Sequence, residues 1–201
     1  MSILERLVSN ANVNMQDDSG RTPLHILMIY FSYKYKSKNN SKALAESMLM
    51  SVLVHLVSAS NVKLQDASGR TALHWALQRK WHNPGLLLSA VSKLVCEENM
   101  DVQDKQGKTA LHYVIDCSKW NWKDMYVVPM DTISILLSSR NVNMKDGKGM
   151  CPLHYALSET LWFDENLYDL LLMLVSEENI RFPDDKGKLP FQKLLSKPLF
   201  D

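Results

Sequence analysis

The stretch NVKLQDASGRTALH, residues 61–74, decides how this chain folds, because close versions of it return along the whole sequence. The others are NVNMQDDSGRTPLH (12–25), NMDVQDKQGKTALH (99–112), NVNMKDGKGMCPLH (141–154) and NIRFPDDKGKLPFQ (179–192). Their glycines, Gly20, Gly69, Gly107, Gly149 and Gly187, are 49, 38, 42 and 38 residues apart, and each follows an aspartate by three positions. Only 7 glycines occur in 201 residues, so five of them mark register rather than loops. A period of this length means that one supersecondary unit is stacked several times.

Within a block the residue types dictate a turn and then a helix. An aspartate at the head of Asp-x-x-Gly can bond the backbone two residues on, and the glycine supplies the positive φ that a side chain resists. Thr22, Thr71 and Thr109 suit N-cap positions, and Pro23 and Pro152 suit the first helical residue. Apolar residues such as Leu73, Ala76 and Leu77 then recur at helical spacing. A second, more apolar run precedes the next block, at residues 48–57, 86–95, 132–137 and 167–175. In each, a leucine stands five positions before the asparagine that opens the block. Such runs need neighbours to bury them. The chain opens in a run of this second kind, residues 3–8, and closes after one of the first kind, residues 190–195, so both end units read as half repeats.

The pattern Asp-x-x-Gly-x-Thr-Pro/Ala-Leu-His followed by two short helices resembles the ankyrin repeat. Three blocks carry the full Gly-x-Thr-x-Leu-His; Cys151 replaces the threonine in the fourth, and Leu189 and Gln192 replace threonine and histidine in the fifth. The resemblance implies an all-α repeat solenoid of helix-turn-helix pairs joined by hairpin turns. It also implies one domain over 1–201: a half repeat at 1–16, repeats at 17–65, 66–103, 104–145 and 146–183, and a half repeat at 184–201. The family period is about 33 residues, so the intervals here imply insertions between the two helices of each pair, hence lengthened inter-helix loops. The family's glycines before the hairpin are missing. Asparagine stands there instead, and its tolerance of left-handed backbone predicts that it holds those joints.

Composition excludes other classes. With 23 basic and 22 acidic side chains and 46% hydrophobic residues, the chain is neither a disordered polyelectrolyte nor globally drawn to nucleic acid. Cys96, Cys117 and Cys151 are odd in number and lack partners at ligand spacing, which argues against a disulfide framework and against a zinc site. Glu5 and Arg6 interrupt what would be a signal peptide, and no uncharged run approaches the roughly 18 residues of a membrane span. These features place the chain in the cytoplasm or nucleus.

No catalytic constellation emerges. His25, His74, His112 and His154 share one repeat position, where the ring bonds the nearby threonine and backbone. His55 and His82 have no ligand partner at helical spacing. No Gly-x-Ser-x-Gly elbow, phosphate loop or His-Glu-x-x-His helix occurs. The reading is a protein that is not an enzyme and that takes no cofactor and no metal.

Binding is the remaining function. The resemblance directs the positions beside the turn glycine and late in the first helix outward, toward the concave face and hairpin tips where ankyrin repeats bind proteins. They are Asp18, Arg21 and Tyr30 in the first repeat, Arg70, Gln78 and Arg79 in the second, Lys105, Lys108 and Asp116 in the third, and Lys148 and Glu159 in the fourth. The insertions add Trp81, Trp120, Trp122 and Trp162, which either bind a partner or roof the helix ends. Trp75, Tyr113 and Tyr155, each just after the repeat histidine, read as packed between repeats. Residues 1–100 carry net +4 (11 basic, 7 acidic) and 101–201 net −3 (12 basic, 15 acidic), a polarity that would orient a protein partner. An alternative is a nucleic-acid-associated regulator using the Tyr/Lys-rich stretch YFSYKYKSKNNSK, residues 30–42. By resemblance alone, further readings are a scaffold, an inhibitor like the ankyrin proteins that mask Rel-type transcription factors, and hydroxylation at Asn14 and Asn143.

Overall fold

The computed structural model describes residues 12–34, 41–78, 81, 84–116, 130–158 and 166–195. Among these residues there are ten α-helices and no strand: α1 Pro23–Lys34, α2 Ser41–Leu56, α3 Ala72–Leu77, α4 Pro84–Leu94, α5 Glu97–Met100, α6 Ala110–Ile115, α7 Met130–Leu136, α8 Pro152–Ser158, α9 Asn166–Leu174 and α10 Pro190–Leu195. Helices α1, α3, α6, α8 and α10 are the first helices of the repeat; α2, α4, α7 and α9 are the second. Pro23 and Pro152 open their helices, where a missing N–H costs nothing. In the first repeat the extra length expected in the inter-helix loop lies largely in the helices themselves, α1 having 12 residues and α2 16, against six or seven in the other first helices. Of the insertions, 35–40, 117–129, 159–165 and most of 79–83 lie outside the described residues. Residues 3–8 do so too.

The chain divides into two compact units, Met1–Asn99 and Met100–Asp201. In the first, α1 packs on α2 and α3, and α4 packs on α2 and α3. Leu24 and Met28 of α1, Leu49 and Leu53 of α2, Leu73 and Leu77 of α3, and Leu87 and Val91 of α4 are wholly buried there. In the second, α6 packs on α7 and α8, while α8 packs on α9 and α10. Leu111, Ile115, Ile133, Leu136, Leu153, Leu170 and Leu174 fill that core. A helix of six residues such as α3 is too short to persist alone, so this burial sustains it.

Each turn repeats one set of bonds. The Asp66 N–H donates to the Arg70 carbonyl (2.8 Å), the Gly69 N–H to the Asp66 carbonyl (2.9 Å), and the Asp66 carboxylate accepts the Ser68 and Arg70 N–H groups (2.7 and 3.0 Å). The turn glycines sit at φ between 71° and 77°.

The joints ahead of the turns correct the expectation of left-handed asparagine. Asn61, Asn141 and Asn179 begin 3-10 turns (Asn61–Lys63, Asn141–Asn143 and Asn179–Arg181), Asn99 lies inside α5, and all four are fully buried. Their value lies in the carboxamide. Asn61 Oδ1 accepts the Ser58 N–H at 3.0 Å while Nδ2 donates to the Leu56 carbonyl at 2.6 Å and reaches the Val13 carbonyl at 3.4 Å. Asn179 does the same with Ser176, Leu174 and Val142. One side chain thereby caps the carbonyl end of the second helix and ties it to the preceding repeat.

Candidate protein-binding face

Helices α1, α3 and α6 start on a threonine–histidine bracket. In the second repeat the Thr71 N–H donates to His74 Nδ1 (3.2 Å) and Thr71 Oγ1 lies 2.9 Å from the same nitrogen. An Nδ1 that accepts a backbone N–H carries no proton, so the proton is on Nε2. That nitrogen reaches forward: His25 Nε2–H donates to the Arg70 carbonyl (2.9 Å), His112 to Met150 (3.1 Å) and His154 to Lys188 (3.2 Å). Burial lowers the pKa of all three rings, that of His112 to about 4. In the fourth block the Cys151 thiol takes the threonine's place, 3.2 Å from His154 Nδ1, with its pKa raised by burial. In the fifth, Gln192 Oε1 accepts the Leu189 N–H at 2.8 Å, so glutamine keeps the acceptor half of the bracket. These histidines are structural pins.

A second ladder ties each of the last four first helices to its own turn. The residue after the bracket histidine, nine positions past the turn aspartate, donates to that carboxylate's other oxygen. Trp75 Nε1 reaches Asp66 (2.8 Å), Tyr113 Oη reaches Asp104 (2.6 Å), Tyr155 Oη reaches Asp146 (2.6 Å), and Lys193 Nζ bonds Asp184. Ile26 stands there in the first repeat and cannot donate; Arg21 Nε serves Asp17 instead, at 3.0 Å. The Asp-x8-Trp/Tyr/Lys spacing is the mark of this ladder in the sequence.

The surface nearby is built on these pins. In the first unit the Arg70 guanidinium carbon lies 5.1 Å from the Trp75 ring centroid, and Arg70 Nη1 donates to Gln78 Oε1 at 3.3 Å, all three side chains half-buried. Beside α1 is a hollow of about 500 Å³ bordered by Met15, Asp17, Arg21, Ile26, Tyr30 and Leu56. In the second unit Lys105 and Lys148 are exposed at their turn tips.

A family profile described as ankyrin repeats (3 copies) matches residues 37–121. The chain carries ankyrin repeats. They are protein–protein interaction modules in a family that is typically non-catalytic. A search of curated proteins returned no match. Among the described residues no helix is long and apolar enough to cross a membrane, and no three His, Cys, Asp or Glu side chains are grouped to hold a metal ion.

The ankyrin scaffold turns some expected binding residues inward. Lys108 and Asp116 are corrected: they are 7% and 4% exposed and form an ion pair at 2.8 Å. The lysine ammonium lies 4.5 Å from the Tyr155 ring centroid and 5.5 Å from that of Tyr113, two aromatic faces that favour a cation and displace water. Trp81 is corrected too, since at 4% exposure its Nε1 donates to the Ala76 carbonyl (2.7 Å) and its ring covers the end of α3. Asp18, Arg21, Tyr30, Arg70, Gln78, Lys105 and Lys148 remain at the surface. Arg79, Trp120, Trp122, Glu159 and Trp162 lie outside the described residues, as do the side chains of 31–42. Asn14 is exposed and bonds Ser60 Oγ at 3.2 Å; Asn143 is half-buried, held by Ser176 and Glu178 at 2.7 and 3.0 Å.

Proposed function

We propose that the protein binds another protein through its turn tips and first helices, acting by occupancy or bridging, as a scaffold or an inhibitor would, without chemistry of its own. The observation that carries this reading is the Arg70–Trp75 stack. An arginine held over an indole by its own hydrogen bond loses little freedom when a partner arrives, and Arg and Trp are the side chains enriched where interfaces concentrate their energy. The exposed lysines at 105 and 148 add a charge that steers encounter more than it adds affinity.

The test is capture of partners from nuclease-treated extract by the wild-type chain and by Arg70→Glu combined with Lys105→Glu, with quantitative mass spectrometry and a circular dichroism check of folding. A protein recovered by the wild type and depleted at least about tenfold by the folded variant supports the reading; about 1.4 kcal/mol accounts for that ratio. Equal recovery by both refutes it. Retention that vanishes with nuclease alone favours the nucleic-acid reading of the Tyr/Lys-rich insertion.

A further inference from the structure

Within each of the two units, neighbouring turns are joined by one backbone bond. The Ala67 N–H donates to the Ser19 carbonyl, the Gly147 N–H to the Gln106 carbonyl and the Asp185 N–H to the Lys148 carbonyl, all at 2.8 Å. Each turn therefore offers two coupling groups: the N–H one residue past the aspartate, used backward, and the carbonyl two residues past it, used forward. Among the described residues, the Asp18 N–H and the Lys186 carbonyl have no such partner. We infer that a second copy of this chain supplies it, the turn at residues 17–20 of one copy seating on the turn at residues 184–187 of another.

Three observations fit this occupant. First, turn glycines are seats for the next turn. A Cβ placed on Gly20, Gly107 or Gly149 would stand 3.0 to 3.2 Å from the Cα of Asp66, Asp146 or Asp184 respectively, whereas at Gly187 nothing lies within 4 Å. Second, the charges match a junction the chain already makes. Lys148 is followed there by the Asp184–Asp185 turn, and the inferred contact places Lys186 against Asp17–Asp18, the same residue types in the same order. Third, first helices pack side by side within each unit, α1 on α3 and α8 on α10. Extending that order lays α10, with Phe191 44% and Leu195 79% exposed, along the hollow where Ile26 and Tyr30 are 42% and 51% exposed. The two surfaces differ, so the contact is heterologous and one docking leaves both outer ends available for more.

Sedimentation velocity across a concentration series tests this with two end-blocked variants. Asp18→Pro deletes the N–H at a turn position that proline suits. Gly187→Asn keeps a residue tolerant of positive φ but puts a Cβ where the incoming aspartate belongs, into space open in the single chain. Circular dichroism confirms that both fold. The expected result is wild-type mass rising past the dimer with concentration, each variant alone remaining monomeric, and an equimolar mixture of the two stopping at a dimer. A wild type that stays monomeric throughout, variants that assemble like the wild type, or a mixture that grows past two copies overturns the inference.

Discussion

The Asn99 carboxamide bonds the Leu94 carbonyl at 2.7 Å and the Val62 carbonyl at 3.1 Å, closing its own helix pair and the previous repeat with one group. Its Oδ1 accepts the Cys96 N–H at 3.0 Å. If asparagine stood here for its backbone tolerance, glycine would be as good or better. Because the side chain does the work, Asn99→Gly leaves buried donors and acceptors unmade and should cost about 3 kcal/mol, at roughly 1–3 kcal/mol for each orphaned group. A urea unfolding midpoint unchanged by the substitution would contradict the capping role.

The buried Lys108–Asp116 pair gives a second test. Lys108→Ala strands the Asp116 carboxylate at 4% exposure and is expected to lose about 3–5 kcal/mol, whereas Lys108→Met with Asp116→Leu should recover most of that. Thermal or urea unfolding of the three proteins reads the difference. A single variant as stable as the wild type would return Lys108 to the surface.

Acid should loosen the repeats through their histidines. Burial holds the folded His112 pKa at about 4, below the ordinary 6.5, so below pH 6.5 the unfolded chain binds the proton first. Stability is full above pH 6.5 and falls as pH drops toward 4, by about 3 kcal/mol for this ring alone. His25 and His154 shift in the same direction. The Asp184 carboxylate adds a lower window. Burial raises its pKa, but Lys193 and the Lys188 and Lys186 N–H groups outweigh it and hold the value at about 2, so its contribution is lost between about pH 4 and 2. Urea titrations at successive pH values should show the first slope reduced in His112→Gln, for which Gln192 is the precedent.

Removing one rung of the carboxylate ladder should be felt locally. Tyr155→Phe leaves Asp146 Oδ2 without its 2.6 Å donor and is expected to cost about 1–3 kcal/mol. Hydrogen exchange at the Lys148 and Met150 amides, which bond the other oxygen of that carboxylate, should accelerate. Unchanged exchange at both would mean that the turn holds without the phenol.

What the sequence made legible was local. Asp-x-x-Gly, the Thr71 and Thr109 caps and the bracket histidines all act within four residues of one another, where residue chemistry and spacing suffice. The burial of Lys108 was not legible: a lysine beside a turn glycine reads as solvated, and its aromatic walls come from Tyr113 and from Tyr155 in the next repeat. Trp81 was ambiguous for a similar reason, since only the fold places its indole over the Ala76 carbonyl. The positions of the asparagines are legible but their role is not, because their distant acceptors, such as Val62 for Asn99, lie a full repeat away.

The carboxylate ladder uses four kinds of donor over five blocks: arginine, tryptophan, tyrosine twice, and lysine. Near-identical repeats run the hazard of assembling in the wrong order while the chain folds. At one junction a skipped neighbour is penalised, for Lys108 lies over the Tyr155 face, and the fifth block offers the like-charged Lys193 at that place. The variation that blurs the repeat pattern serves there as an address, telling the third block that the fourth comes next.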